Sequence, residues 1–183
     1  MIGAITAGLF SSGVAASTNA YESIATVTIG SGGASSATFS SIPSTYKNLQ
    51  IRGIFRPTGA SWVIARFNGD SGTNYSQHDL RGDGSSASAE ATINAQNAYF
   101  ILGTATATNI FGVGVMDILD YANTNKYKTT RSLNGIDANG SGNVDLTSSS
   151  WRNTAAISSI VLSLNSGGTI PEYSSFALYG IKG

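Results

Sequence analysis

Residues 21–29 read Tyr21-Glu-Ser-Ile-Ala-Thr-Val-Thr-Ile29, and this alternating stretch decides the fold. Side chains along a β-strand point to opposite faces in turn, and one face here carries Ala25, Val27 and Ile29. Ser31-Gly-Gly33 then interrupts the run with residues typical of turns. The pattern predicts a short strand followed by a turn.

Similar runs recur along the chain, separated by segments rich in Gly, Ser, Asn and Asp. No segment of ten or more residues holds the i, i+3, i+4, i+7 apolar stripe of a helix. The stretches that fit strands are 21–29, 37–42, 49–55, 62–67, 93–102, 110–119, 127–133, 157–164 and 174–181. This series predicts an all-β fold, a single antiparallel jelly roll or β-sandwich of about eight strands over residues 21–183. Residues 1–20 are predicted to form an extended N-terminal arm.

Charged residues make up 11% of the chain, whereas roughly 25% is usual in globular domains. Ten Lys and Arg balance ten Asp and Glu, which gives a formal net charge of 0. Because no basic excess attracts phosphates, the composition argues against nucleic acid as a partner. A nearly uncharged chain repels its own copies weakly, which suits a protein packed in an assembly. The chain has no cysteine, which excludes disulfides, thiolate metal sites and cysteine nucleophiles.

The first twenty residues are small, apolar and aperiodic. Met1-Ile-Gly-Ala-Ile-Thr-Ala-Gly-Leu-Phe10 could open a signal peptide, with Val14-Ala15-Ala16 as its cleavage site. No Lys or Arg precedes the apolar stretch, and Gly and Ser interrupt it, so an arm that docks on a neighbouring subunit fits better. No segment approaches the roughly 18 unbroken apolar residues of a membrane span, and no membrane partner is expected.

Two groups of residues raise the question of catalysis. His78 is the only histidine and stands beside Asp79, but no Gly-x-Ser-x-Gly context surrounds a serine nucleophile. We expect His78 to be an exposed loop or edge residue. Asp117 and Asp120 end an apolar strand, where a turn role is expected rather than the paired-carboxylate chemistry of glycosidases. The sequence therefore predicts no catalytic site, no enzyme activity and no cofactor.

Residues 137–145 resemble the first nine positions of a calcium loop, with oxygen-bearing side chains at positions 1, 3, 5 and 9. The twelfth position, normally Glu, is Ser148, and no helix flanks the run. A plain turn is the simpler interpretation, so no metal site is predicted, although calcium binding by Asp137–Asp145 stays open. The integrin-type tripeptide Arg81-Gly82-Asp83 is attributed to chance.

Most aromatic residues occupy strand positions and are expected in the core or between the sheets, among them Phe55, Trp62, Phe67, Phe111, Phe176 and Tyr179. Tyr121 and Tyr127 lie near polar segments. We expect these two to be exposed, where they could contact carbohydrate.

Five stretches carry a resemblance to known proteins, namely Tyr21-Glu-Ser-Ile-Ala-Thr-Val-Thr-Ile-Gly30, Ala37-Thr-Phe-Ser-Ser-Ile-Pro-Ser-Thr-Tyr46, Leu49-Gln-Ile-Arg52, Arg66-Phe-Asn-Gly-Asp-Ser-Gly-Thr-Asn-Tyr-Ser76 and Ser175-Phe-Ala-Leu-Tyr-Gly-Ile-Lys-Gly183. They resemble small virion structural proteins of tailed bacteriophages, of the kind found in phages of aquatic bacteria, including cyanophages. The resemblance covers residues 21–183. It implies a jelly-roll component of the head or tail, commonly trimeric, that is assembled in the host cytoplasm and located in the virion.

The resulting hypothesis is a capsid decoration, or cement, protein that stabilises the head lattice through protein–protein contacts. Its expected partners are its own copies, in a homotrimer, and the major capsid protein. The arm would bury four side chains against these neighbours, namely Ile2, Ile5, Leu9 and Phe10. The alternative is a tail- or head-fibre module that binds a host receptor or surface glycan through the loops around residues 78–88 and 134–150. A hydrolase is the weakest hypothesis.

Overall fold

The computed structural model describes residues 20–104 and 109–183. This part of the chain contains twelve β-strands and no helix, which confirms the all-β prediction. The strands are β1 (Tyr21–Thr28), β2 (Ala37–Phe39), β3 (Asn48–Phe55), β4 (Ser61–Phe67), β5 (Tyr75–Gly82), β6 (Ala87–Ala95), β7 (Ala98–Gly103), β8 (Gly112–Leu119), β9 (Lys128–Asp137), β10 (Gly142–Trp151), β11 (Ile160–Leu164) and β12 (Ser175–Ile181). Among the described residues, no helix is long and apolar enough to cross a membrane.

The strands form two antiparallel sheets that pack into a sandwich. The larger sheet has eight strands in the order β1-β12-β3-β8-β9-β10-β5-β6, and the smaller has four in the order β2-β11-β4-β7. The hydrophobic core lies between them and includes Leu49, Ile51, Phe55, Phe67, Phe100, Met116, Trp151 and Phe176. Tilted contacts join Phe67 to Trp151 and Phe100 to Phe176.

The strand pairing is nested. β1 pairs with β12, β2 with β11, β3 with β8, and β4 with β7. Two hairpins stand outside this scheme, β5–β6 and β9–β10, and both are added to the same side of the larger sheet. β10 pairs with β5, which joins the hairpins to each other. The larger sheet therefore extends beyond the smaller one.

The sequence pattern missed the strands of these hairpins in part. β5 and β10 were not predicted, and the predicted strand 93–102 is divided between β6 and β7. The composition of residues 82–90 predicts a loop, but β6 begins at Ala87. Of the run 134–142, which by composition predicts a polar loop, residues 134–137 belong to β9 and Gly142 begins β10. β5 and β10 bury mainly polar side chains, so they lack the apolar inner face by which strands are recognised.

β7 lies directly on the larger sheet because that sheet has glycines beneath it. A Cβ atom at Gly53 would sit 2.8 Å from Ile101 Cδ1, and one at Gly114 would sit 2.6 Å from Ile101 Cγ1. Such distances leave no room for a side chain. The two glycines therefore let Ile101 pack against backbone, and they place the edge strand of the smaller sheet across β3, β8 and β9.

Candidate assembly surface

The free edge of β7 is bonded by side chains of the opposite sheet. Asn134 Oδ1 accepts a hydrogen bond from Leu102 N at 3.1 Å, and Gln77 Oε1 accepts one from Tyr99 N at 3.1 Å. Ser132 Oγ donates to Tyr99 O at 3.1 Å. An unpaired strand edge buried inside a protein is costly, and these three bonds reduce that cost at Tyr99 and Leu102.

The inner face of β5, β9 and β10 is consequently polar. Its buried polar side chains are Gln77, Asp79, Thr130, Ser132, Asn134, Asn143, Asp145, Thr147 and Ser149. Arg81 Nε donates to the fully buried Asp145 at 2.5 Å, and the Arg81 guanidinium lies over the Trp62 ring, 5.4 Å from its centroid. Burial raises the pKa of Asp79, and a hydrogen bond from Thr147 Oγ1 (2.6 Å) opposes that rise.

Polar residues on the inner face leave the apolar residues of the same strands on the outer face. Seven large aliphatic side chains there are between 37% and 60% exposed, and we call them the apolar band: Ile54, Leu80, Val113, Val115, Leu133, Val144 and Leu146. Monomeric proteins rarely expose a contiguous apolar patch as wide as five strands, and such a patch usually marks an interaction surface.

The strand register makes the apolar band continuous. One row runs across four strands through Ile54, Val113, Gly135 and Val144. The adjacent row runs across four strands through Val115, Leu133, Leu146 and Leu80. Directly opposed residues on one sheet face are in side-chain contact range, so the two rows form one surface.

A groove of about 610 Å³ lies over the first row. Its walls include Ile54, Val113, Leu133 and Val144, and Gly135 lies between Val113 and Val144 in the register. Because Gly135 has no side chain, the row has a gap there. The groove can therefore accept an aliphatic or aromatic side chain from another segment.

Arg52 is the charged residue among those that line the groove, and it is already engaged. Its guanidinium lies between the rings of Tyr21 (5.3 Å) and Tyr179 (5.0 Å), and its Nε donates to Gln50 Oε1 at 2.8 Å. Gln50 Nε2 in turn donates to Asp117 Oδ1 at 2.8 Å. Polar contacts thus bound the apolar band on one side without placing a free charge inside it.

His78 and Asp79, which raised the question of a catalytic triad, lie on opposite faces of β5. His78 is exposed, as expected, but it lies on the outer face of β5, which is neither a loop nor an edge strand. Its neighbour Asp79 is buried on the inner face. Side chains on opposite faces of one strand cannot share a hydrogen bond.

Asp120 has the turn role that was expected. It follows β8 with φ 47°, and its carboxylate binds Lys47 Nζ at 2.8 Å and also Lys126 Nζ. Hydrogen bonds from Lys126 and Lys47 lower the pKa of Asp120 to about 2. Asp117 differs from the expectation, since it lies within β8 and accepts the bond from Gln50.

The calcium-like run forms the β9–β10 hairpin. Asp137 is exposed at the end of β9 and accepts a bond from Asn139 N at 2.8 Å, while Asp145 is buried on the inner face of β10 with Arg81. The first and ninth positions therefore point to opposite faces of the sheet instead of converging. In the described part of the chain, no group of three or more His, Cys, Asp or Glu side chains is placed to hold a metal.

The Arg-Gly-Asp tripeptide is tied into the fold. Arg81 binds Asp145, and Asp83 accepts bonds from the backbone N–H groups of Ser85 (2.8 Å) and Ser86 (2.7 Å) in the β5–β6 turn. These bonds lower the pKa of Asp83. Neither charged side chain is free to be presented as a ligand.

The expectation for Tyr121 was wrong. Tyr121 is fully buried, its hydroxyl donates to Pro43 O, and the same oxygen accepts from Tyr46 N at 3.4 Å. The left-handed turn at Asp120 directs the chain inward, so a tyrosine beside a polar loop enters the core. Tyr127 is 56% exposed, as expected.

Of the aromatic residues expected in the core, Phe55, Phe67 and Phe176 are fully buried. Trp62 is partly exposed and stacks on Tyr99 with ring centroids 4.5 Å apart. Phe111 and Tyr179 are also partly exposed.

Sequence reasoning missed Lys128. Its ammonium is fully buried and donates to three backbone carbonyls, those of Asn123, Lys126 (3.0 Å) and Thr154 (3.0 Å). Burial lowers the pKa of Lys128. Nothing in the sequence around Lys128 indicates that its side chain is buried and bonded to loop carbonyls, since most lysines are exposed.

The predicted arm contacts Ile2, Ile5, Leu9 and Phe10 lie outside the described residues. The apolar band was not predicted as a site, although strand 110–119 was expected to carry Phe111, Val113, Val115 and Leu119 on one face. The structure places Val113 and Val115 of that face toward solvent.

Comparison with protein-family models, curated protein sequences and solved structures found no match to this chain.

Proposed function

We propose that this chain is a non-enzymatic structural protein of a bacteriophage virion that acts by protein–protein contact, as a decoration or cement protein on the head. The observation that carries the assembly role is the apolar band on the outer face of the larger sheet. The bacteriophage assignment rests on the sequence resemblance. The expected partners are further copies of the chain, as a homotrimer, and the major capsid protein.

The size of the apolar band supports a role in assembly. Each of its seven side chains is partly exposed, and covering one would contribute on the order of 1 kcal/mol. Association also costs several kcal/mol in lost freedom, so one copy of the band would give modest affinity. Many copies on a lattice would raise the affinity through multivalency.

We also infer that the nested pairing is that of a jelly roll. Without the hairpins β5–β6 and β9–β10, the sheets read β1-β12-β3-β8 and β2-β11-β4-β7, which is an eight-stranded arrangement. In this view the hairpins are additions that widen one sheet and create most of the apolar band.

Quantitative mass spectrometry of purified virions from an infection in which the chain is made tests the proposal. Hundreds of copies per particle would support a head location, whereas a few dozen or fewer would indicate the tail. Absence of the chain from washed particles would overturn the virion assignment.

A fibre module that binds a glycan is the second candidate, and one observation favours it. The two loops expected for that role meet, because the tips of hairpins β5–β6 and β9–β10 line a cleft of about 500 Å³ that includes Ser85, Asp137, Ser141 and Asn143. Carboxylates and amides can bind sugar hydroxyls. Glycan-array binding that is lost in Asp137→Ala would support this role, while a cement protein should show no binding.

A further inference from the structure

The groove over Gly135 and the start of β1 lie on the same face of the larger sheet. Tyr21 is the first residue of β1, which forms the edge of that sheet. Its ring packs against Arg52, and Arg52 lines the groove. The segment that precedes Tyr21 therefore joins the fold on the same face as the groove, at the end of β1 opposite to Thr28, which is level with Ile54.

Residues 1–19 have the composition that this groove requires. They contain no Asp, Glu, Lys, Arg or His, and their large apolar residues are Met1, Ile2, Ile5, Leu9, Phe10 and Val14. The groove is lined mainly by aliphatic side chains and glycines, and the Arg52 guanidinium lies over the rings of Tyr21 and Tyr179. An uncharged segment can cover the aliphatic part of this surface without burying a charge of its own.

The segment is also long enough. Gly135 lies four strands from β1, or about 19 Å at roughly 4.8 Å per strand. Tyr21 is level with Asn48 through Ile181, and Gly135 is level with Ile54, so the offset along the strands is six residues, or about 20 Å. The diagonal is about 28 Å, whereas the eleven residues from Phe10 to Tyr21 can span about 36 Å.

We propose that residues 1–19 dock in the groove of their own chain, with Leu9 and Phe10 at the gap above Gly135. A segment tethered within reach has an effective concentration near the millimolar range, so it occupies the groove ahead of a second copy at micromolar concentration. This inference rests on the proposed function, because it assigns an occupant to the same apolar band.

Disulfide trapping tests the docking cleanly, because the natural chain has no cysteine. The test protein is the full chain carrying Phe10→Cys and Val144→Cys, since Val144 lines the groove. The matched control carries Phe10→Cys and Thr38→Cys, since Thr38 is exposed on β2 of the smaller sheet. Circular dichroism establishes that both proteins are folded before oxidation at micromolar concentration.

We expect the Val144 pair to form an intramolecular disulfide at least about ten-fold faster than the control pair, visible as a monomer of altered mobility on a non-reducing gel. Disulfide-linked dimers in place of monomers would show that a second copy fills the groove and would overturn the assignment. Equal rates in the two proteins, or no disulfide in either, would also overturn it.

The disulfide experiment and the virion experiment can fail independently of each other. If no intramolecular disulfide forms but Leu133→Asp still reduces incorporation into virions, only the docking of the chain's own arm is wrong. If the disulfide forms and Leu133→Asp is incorporated normally, the arm docks but the apolar band is not the assembly surface.

Discussion

The side-chain carbonyl of Asn134 accepts the backbone N–H of Leu102 at 3.1 Å, and this bond joins the polar inner face of β9 to the edge of β7. Gln77 and Ser132 make corresponding bonds to Tyr99. Because these polar residues are needed inside, their apolar neighbours along the strands face outward. The packing of the sandwich interior thus explains the apolar band on its surface.

The first prediction is that replacing the polar Asn134 destabilises the fold more than replacing its apolar neighbour Leu133. Asn134→Leu should lower the free energy of unfolding by about 1–3 kcal/mol, because Leu102 N loses its buried acceptor. Leu133→Asn, one residue away on the exposed face, should cost less than about 0.5 kcal/mol. Urea unfolding of the two variants measures both values. A stable Asn134→Leu protein beside a destabilised Leu133→Asn protein would contradict the assignment of the two faces.

The second prediction concerns the ion pair between the partly exposed Arg81 and the fully buried Asp145. Arg81→Met should lower the free energy of unfolding by about 2–4 kcal/mol, since it leaves the buried Asp145 carboxylate without its partner. Arg131→Met is the matched control, because Arg131 is exposed on the outer face of β9 and should tolerate the change. Chemical denaturation measures the difference. Equal effects of the two substitutions would show that the Arg81 pair does not stabilise the fold.

The apolar band shows why residue patterns predicted the fold class but not which side chains are exposed to solvent. Alternation marked β8 as a strand, yet its valines Val113 and Val115 face solvent while Gly112 and Gly114 face inward. Gly114 is required by the approach of Ile101, which belongs to the opposite sheet, since a Cβ atom there would lie 2.6 Å from Ile101 Cγ1. Local periodicity reports two faces, but it does not report which of them another strand will cover.

The third prediction uses the pKa of Tyr75, which burial raises to about 12. A group whose folded pKa exceeds its unfolded value of about 10 stabilises the fold fully below pH 10 and loses that contribution as the pH rises toward 12. The loss should reach about 2–3 kcal/mol near pH 12. Tyr75 Oη accepts from Phe67 N at 3.0 Å, so Tyr75→Phe should be less stable at pH 8.

The measurement is urea unfolding of both proteins between pH 8 and pH 11. The stability difference between them should shrink above pH 10, because the variant lacks this ionisation. A difference that stays constant or widens would mean that the Tyr75 pKa is not raised in the folded state.

The fourth prediction concerns Asp120. Hydrogen bonds from Lys126 and Lys47 lower the pKa of its carboxyl to about 2. Since the folded pKa is below the ordinary value, the ionised carboxylate stabilises the fold at higher pH, and this contribution is lost as the pH falls through 2. Carbon-detected NMR of the Asp120 carboxyl should give a midpoint near pH 2. In Lys47→Ala the midpoint should rise, and an unchanged midpoint there would contradict the role of that lysine.

The central claim, that the apolar band is an assembly surface, is tested most directly by the number of copies per purified virion in two variants. Leu133→Asp places a charge within the band, whereas Thr129→Asp places the same charge on the exposed face of the same strand outside it. Both proteins should fold, and circular dichroism checks this first. The account predicts that Leu133→Asp falls at least about ten-fold below wild type, a change worth about 1.4 kcal/mol in binding, while Thr129→Asp is incorporated normally. Wild-type copy number for a folded Leu133→Asp protein would contradict it.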